Sequence, residues 1–476
     1  MRILWVLTGA SLCLQATVQL PALISDHMVL QQEVPVRLWG RAAPGEPIQI
    51  SFAGQHLSTK ADPNGRWQAW LMPLKAGGPF QLQVRGENEL RVRDVLVGEV
   101  WVASGQSNMV WPVKQSKDAE KEIPDARYRQ IRLFQVQRKV AAQPEEEVVG
   151  EWKVCSPETV GDFSAVAYFF ARDIHRRKML PVGILQSAVG GTPAQAWTRR
   201  EALEQDPLLK TYLDRWPEVK AKNEANKTPR PTHEPAVLWN GMIAPLTPYT
   251  IRGVLWYQGE TNGSLADAFL YRRLFSTMIT DWRDQWRQGI FPFYFVQLAN
   301  YDAGAGADWP TLRESQTRAL HLRDTAMAVT IDVGESKDIH PKDKQTVGER
   351  LARIARALIY GEQVEFSGPL YRSVTVEGNR LRVWFDHAKG LAARSGQPTG
   401  FLISGADKKF RSAQAQIEGN TVVISAPGVD DPVAVRYCWA NDPVCNLING
   451  EGLPASPFRT DQWADAQLVP VLPSAN

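Results

Sequence analysis

The sequence predicts an α/β protein, a parallel sheet covered by helices with a β-rich region on either side. Three observations predict it. Between about residues 96 and 362, apolar strand-like runs alternate with segments of helical periodicity. Such alternation yields a parallel sheet with crossover helices. Residues 20–95 instead form short alternating runs broken by turn residues, as in a small antiparallel sandwich. Residues 363–476 return to short β-like runs and finish in an irregular tail, "NLINGEGLPASPFRTDQW".

Taken in order, the chain begins "MRILWVLTGASLCLQATVQLP". Arg2, the apolar run Ile3 to Leu14 and small residues near Ala16 have the make-up of a secretory leader. We assign residues 1–19 to it, with a mature terminus between 17 and 20 and a secreted or periplasmic protein as the consequence. A first buried strand is the competing reading. No later segment is long and apolar enough to span a membrane. The strand-like runs "VPVRLWG", "PIQISFAG", "GRWQAWLMPL", "PFQLQVRG" and "ELRVRDVLV" follow.

The central region opens with the strand "VGEVWVAS". A helix, "DFSAVAYFFARDIHRRKML", follows, with Asp162 as a plausible N-cap. The strands "PVGILQSAVGG", "IRGVLWYQGETN", "FPFYFVQLANY" and "AMAVTIDVGES" come next. Between and after them lie the helices "SLADAFLYRRLFSTMITDWRDQW", "TLRESQTRALHLR" and "KDKQTVGERLARIARALIYG". The last has Val347, Leu351, Ile354 and Leu358 on one face. Residues 217–236 read as a loop-like insertion.

Composition narrows the function. Of 476 residues 44% are hydrophobic and 22% charged, which is ordinary for a globular chain. Lys and Arg total 54 against 51 acidic residues, a net +3 with no long basic run, which argues against a nucleic-acid partner. Seventeen Trp suit either β-rich cores or stacking on sugar rings. Of four Cys, Cys13 leaves with the leader, Cys438 and Cys445 are close enough to bridge a loop, and Cys155 stays unpaired. Neither CxxC nor HExxH occurs, so no metal and no cofactor is expected.

Ligands of an open parallel sheet bind beyond the carboxyl ends of its strands. The first central strand runs into Gly105, Gln106, Ser107 and Asn108, and the second into Gly190 and Gly191. The third runs into Gln258, Gly259, Glu260 and Asn262, and the fourth into Asn300. Asp332, Asp338 and His340 follow the fifth. A hydroxyl, exposed backbone amides, a carboxamide and an Asp–His pair are what serine-based acyl transfer needs. Of seven His, only His340 follows a sheet strand and opens a helix. Met109 replaces the second glycine of G-x-S-x-G, which disfavours an ordinary α/β-hydrolase.

GQSNM at 105–109, "AVGGTPAQAW" at 188–197, "WYQGETN" at 256–262 and "DIHP" at 338–341 resemble SGNH-type hydrolases. "VLWNGMIAPL" at 237–246 and "NLINGEGLPASPFRTD" at 446–461 are similar to the sialate O-acetylesterase branch. The resemblance implies a three-layer αβα domain over 96–362, Ser107 as nucleophile and His340 as base. It also implies an oxyanion hole from the Ser107 and Gly190 N–H groups plus a side-chain amide. Gln258 is chosen for the amide over Asn262, being nearer the strand end. The wider pattern has Asp three residues before His, where this chain has Lys337. Asp338 is therefore the chosen orienting acid, with Asp332 or a backbone carbonyl as substitutes. Asn108 and Glu260 are supporting residues, and Glu260 either bonds the Ser107 loop or holds its own turn. The expected partner is an acetylated glycan, most of all an O-acetylated sialic acid, with acetylxylan or another plant polysaccharide as alternative. A glycan-binding protein without activity is the competing class.

Overall fold

The computed structural model describes residues 17–463. At its centre is a sheet whose strands we number β1 (Glu89–Gly105), β2 (Ile131–Gln135), β3 (Trp152–Val154), β4 (Val182–Ala188), β5 (Gly253–Tyr257), β6 (Phe293–Val296) and β7 (Thr325–Ala328). The spatial order is β7-β6-β5-β1-β4-β2-β3. All pairs are parallel except β2 with the edge strand β3. From β1 the chain builds one side of the sheet through β2 and β4. It then crosses over and builds the other side through β5, β6 and β7. The order therefore reverses at β1, and a crevice opens there, beyond the ends of β1, β4 and β5.

Five helical segments matter for the site: α1 (Ser107–Val110), α2 (Ala165–Lys178), α3 (Leu265–Trp286), α4 (Trp309–Arg318) and α5 (Lys344–Leu358). Helix α2 packs against α5, and α3 packs against α4. Trp101, Trp197, Trp256 and Trp282 are fully buried, so much of the indole content is core.

Strand β1 belongs to two sheets. Its first half pairs antiparallel with Gly77–Arg85 of the N-terminal sandwich, and its second half lies between β4 and β5. Burial along it changes from alternating to continuous, as expected where a strand passes from a one-sided to a two-sided environment. The expected division at 95/96 thus falls inside one strand. Three further sheets, two of four strands and one of two, make up the C-terminal β-rich region, and Cys438 is bridged to Cys445. Arg313 of α4 ties that region to the sheet. It is fully buried and donates to the carbonyls of Leu298 (2.9 Å), Ala299 (2.6 Å), Ala440 (2.8 Å) and Asn441 (2.8 Å).

Several expectations are corrected. The N-cap of α2 is Ser164, which accepts from the Ala167 N–H, while Asp162 pairs with Lys114. Much of the presumed loop 217–236 is helical, since a helix spans Pro207–Ala225 with Pro217 inside it. Its second half is largely exposed, so its polar sequence carries no amphipathic signal. His340 precedes α5 by four residues and sits in a turn rather than opening the helix. Most of the expected leader, residues 1–16, lies outside the described residues. Residues 18 and 19 belong to the fold. Val18 is buried, Asn88 donates to its carbonyl, and Gln19 pairs with Arg41.

Candidate active site

Ser107 owes its position to Gly105. At φ +134° that residue turns the chain sharply off the end of β1, and a Cβ there would lie 2.1 Å from the Tyr257 carbonyl oxygen. Only glycine fits so close to the neighbouring strand. One helical turn follows. Gln106 donates its N–H to Tyr257 O, and the Val110 and Trp111 N–H groups return to Gln106 O and Ser107 O. The Met109 side chain anchors the turn in the core, where it receives the Ser164 hydroxyl at 3.6 Å.

Gly190, past the end of β4, faces Ser107. A Cβ built on it would come 3.4 Å from the serine Cβ. Among the described residues nothing accepts from the Ser107 or Gly190 N–H. Two unpaired amides beside a hydroxyl are what an oxyanion hole requires.

The turn after β5 corrects one assignment. Gln258 is fully buried, and its amide donates to Thr192 O (3.2 Å) and Asn262 Oδ1 (2.8 Å) while accepting from the Tyr271 hydroxyl (2.9 Å). Both amide hydrogens are taken, so this side chain braces the turn and has no donor left for an oxyanion. Asn262 is equally buried. It accepts from the Ala194 N–H and donates to Gln195 Oε1, tying the same turn to residues 194–197. Of the two readings of Glu260 the structure supports the first, because its Oε1 accepts from Asn108 Nδ2 at 2.6 Å.

His340 is brought to the same place by the Ser107 turn. Asn108 Nδ2 also donates to Ile339 O at 3.0 Å, and the Trp111 ring stacks on the imidazole at 4.9 Å and 17°. Ser107 and His340 make no direct hydrogen bond. Burial and the nearby Lys344 charge lower the pKa of His340, and Asp338 opposes them. The imidazole therefore stays neutral to lower pH than an unperturbed one.

Asp338 is not hydrogen-bonded to the ring. Its Oδ1 accepts from the His340 backbone N–H at 2.9 Å and lies 3.8 Å from Nδ1. The one-residue shortfall from the DxxH spacing explains this, since two residues close a turn on the backbone before the carboxylate can reach under the ring. Asp332 cannot substitute, being held by Arg350 at 2.6 and 2.8 Å and by Arg394 at 2.7 Å. Asn300 bonds Asp442 and the Gly334 N–H. An ion pair as exposed as Asp338–His340 contributes about 1 kcal/mol or less. Asp338→Asn should therefore lower kcat by at most roughly tenfold. A steady-state loss beyond a thousandfold would restore Asp338 as the orienting acid.

Sequence reasoning missed Lys344 and Trp111. The signal for Lys344 was a cation in the first turn of a helix, where the macrodipole disfavours it. It also missed a cleft of about 450 Å³ that opens at Gly190 and Gly191. Arg138, Arg230 and His233 line that cleft, and neither arginine has an anionic partner among the described residues. A larger cavity, about 670 Å³, lies between the N-terminal sandwich and residues 244–248. It contains none of the strand-end residues, whereas the smaller cleft includes Gly190 and Gly191.

Comparison with known proteins gives the family. Residues 97–357 match the profile of the family described as carbohydrate esterase, sialic acid-specific acetylesterase. The sialate O-acetylesterase of Mus musculus is 33% identical, with 91% of this chain and 93% of that protein aligned. The Homo sapiens protein of the same name is 31% identical, with 91% of each covered. Among solved structures, a carbohydrate acetylesterase from Xanthomonas citri is 40% identical. It superposes with a TM-score of 0.86 over 94% of this chain and 100% of its own.

Proposed function

The chain belongs to the sialic acid-specific acetylesterase family of carbohydrate esterases, and from that membership we propose that it removes O-acetyl groups from sialic acids through an acetyl-serine intermediate. Ser107 Oγ attacks the acetyl carbonyl carbon as His340 takes its proton. The Ser107 and Gly190 N–H groups hold the resulting oxyanion. Collapse expels the sugar alkoxide, which leaves as the alcohol with the proton from His340. Water, deprotonated by the same imidazole, then attacks acetyl-Ser107. Collapse breaks the Oγ–acetyl bond, Ser107 Oγ regains the proton from His340, and acetic acid departs and ionises to acetate. The carrying observation is the packing of Gly190 against Ser107, with both amides unpaired among the described residues.

Arg138 and Arg230 in the adjoining cleft support an anionic sugar, because guanidinium groups match a carboxylate. The second reading is a neutral acetylated plant polysaccharide such as xylan. It draws on the 40%-identical neighbour, which is named for carbohydrate rather than for sialate. Acetate release from a panel of acetylated sialosides and acetylated xylo-oligosaccharides separates them. Higher kcat/KM on the sialosides supports the first reading, and the reverse order replaces it with the second.

Export is part of the proposal. The leader-like start and the Cys438–Cys445 bridge both suit an oxidising compartment. Because Val18 and Gln19 are built into the sandwich, N-terminal sequencing of exported protein should find the new terminus at 17 or 18. Retention of Met1 would remove the localisation.

A further inference from the structure

Lys344 is fully buried at the first position of α5, and no step described above uses it. Its ammonium donates to Asn108 Oδ1 at 2.5 Å. The Asn108 Nδ2 group donates to Glu260 Oε1 (2.6 Å) and to Ile339 O (3.0 Å). An asparagine amide can turn over and exchange its oxygen and nitrogen, but here it cannot. An ammonium only donates, and a carboxylate and a carbonyl only accept, so the orientation is locked. The locked amide belongs to the residue after Ser107 and grips the residue before His340. Lys344 also lies 5.8 Å from the Trp111 ring centroid, and Trp111 stacks on His340. Its charge is therefore close enough to act on the imidazole.

We propose that Lys344 is a positioning residue that locks Asn108, so holding the Ser107 turn against the His340 loop, and whose charge keeps His340 in its neutral, basic form. The proposal rests on the assignment of Ser107 and His340 as nucleophile and base. The other groups around this pair are Asp338 beside the ring and Glu260, Glu335 and Asp343 facing Lys344. Burial lowers the ammonium pKa to about 7 against the pull of those carboxylates. Below that pH, where an imidazole titrates, Lys344 is charged and opposes protonation of His340.

The test is the pH profile of kcat/KM for p-nitrophenyl acetate in Lys344→Met and Lys344→Arg. Removing the positive charge raises the His340 pKa, so the acid limb of Lys344→Met should move up by roughly 0.5–1 pH unit. Its kcat should fall while KM changes little, and Lys344→Arg should keep the wild-type limb. A merely structural lysine would lower thermal stability without moving the limb. A folded Lys344→Met with an unmoved limb and kcat within twofold of wild type overturns the proposal. If Lys344→Met does not fold, Lys344→Gln takes its place, with the imidazole followed by NMR and assigned by its loss in His340→Asn. Protonation at higher pH than in wild type supports the proposal, and an unchanged titration overturns it. Activity retained by Ser107→Ala would instead remove the underlying assignment, a result independent of the Lys344 profile.

Discussion

Ser107→Ala is expected to lose essentially all turnover of p-nitrophenyl acetate, with kcat falling by roughly 10⁵- to 10⁶-fold, the scale seen when a serine nucleophile is deleted. The substitution removes one oxygen from a half-exposed position. Among the described residues the Ser107 hydroxyl makes no hydrogen bond, while its backbone carbonyl receives Trp111. Folding should therefore be unaffected, and circular dichroism should match wild type. Mass spectrometry after rapid acid quench should find the acetyl group on the peptide containing Ser107 and on no peptide of the variant. Folded Ser107→Ala with more than a hundredth of wild-type turnover would exclude Ser107 as nucleophile. Wild-type protein that binds acetylated glycans but turns nothing over would point to the binding reading instead.

The second large effect is on stability. Gly105→Ala places a methyl group 2.1 Å from Tyr257 O and 2.7 Å from Tyr257 C, both backbone atoms of a central strand that cannot move cheaply. It also imposes φ +134° on an L-residue. Left-handed backbone costs about 1–2 kcal/mol and a core overlap about 1–3. We therefore expect a loss of about 2–5 kcal/mol and a melting temperature lower by roughly 2–5 °C. Whatever relief the structure finds must separate β1 from β5, and that shifts Ser107. A displacement of about 1 Å at a reacting group can cost on the order of a hundredfold in rate, so folded variant should also be slow. Wild-type melting and turnover in Gly105→Ala would contradict the geometry of this turn.

The strand-end inventory made much of the site legible. Ser107, Gly190 and His340 could be named because strand–turn grammar and the GQSNM, VGG and DIHP blocks are local signals. Gln258 was misassigned because nearness to a strand end does not say which way an amide points. Its partners, Thr192 and Tyr271, are distant in sequence. Lys344 was passed over for the opposite reason, because a lysine in a polar stretch reads as a solvated charge and its place in the first turn of a helix is a weak signal. Only the tertiary fold shows its ammonium closed in among Asn108, Trp111 and Tyr257. In the fold, "ELRVRDVLV" and "VGEVWVAS" were each read as strands. Their fusion was hidden because alternation gives way to continuous burial in mid-strand.

The shared strand β1 has a consequence for how the protein is made. The N-terminal sandwich can close once β1 has emerged, but the second half of that strand then has no neighbours on either side. Its residues Val100, Trp101, Val102 and Ala103 are wholly buried in the finished protein. One neighbour, β4, ends at Ala188, and the other, β5, at Tyr257. About 150 more residues must emerge before both are present, on the order of 8–30 s at the usual rate of synthesis. During that interval a nascent chain carries a folded head with an apolar strand projecting from it, both edges open to pairing with another copy. Yield during production should therefore be set by how well that strand is shielded until β5 arrives, more than by the stability of the finished enzyme.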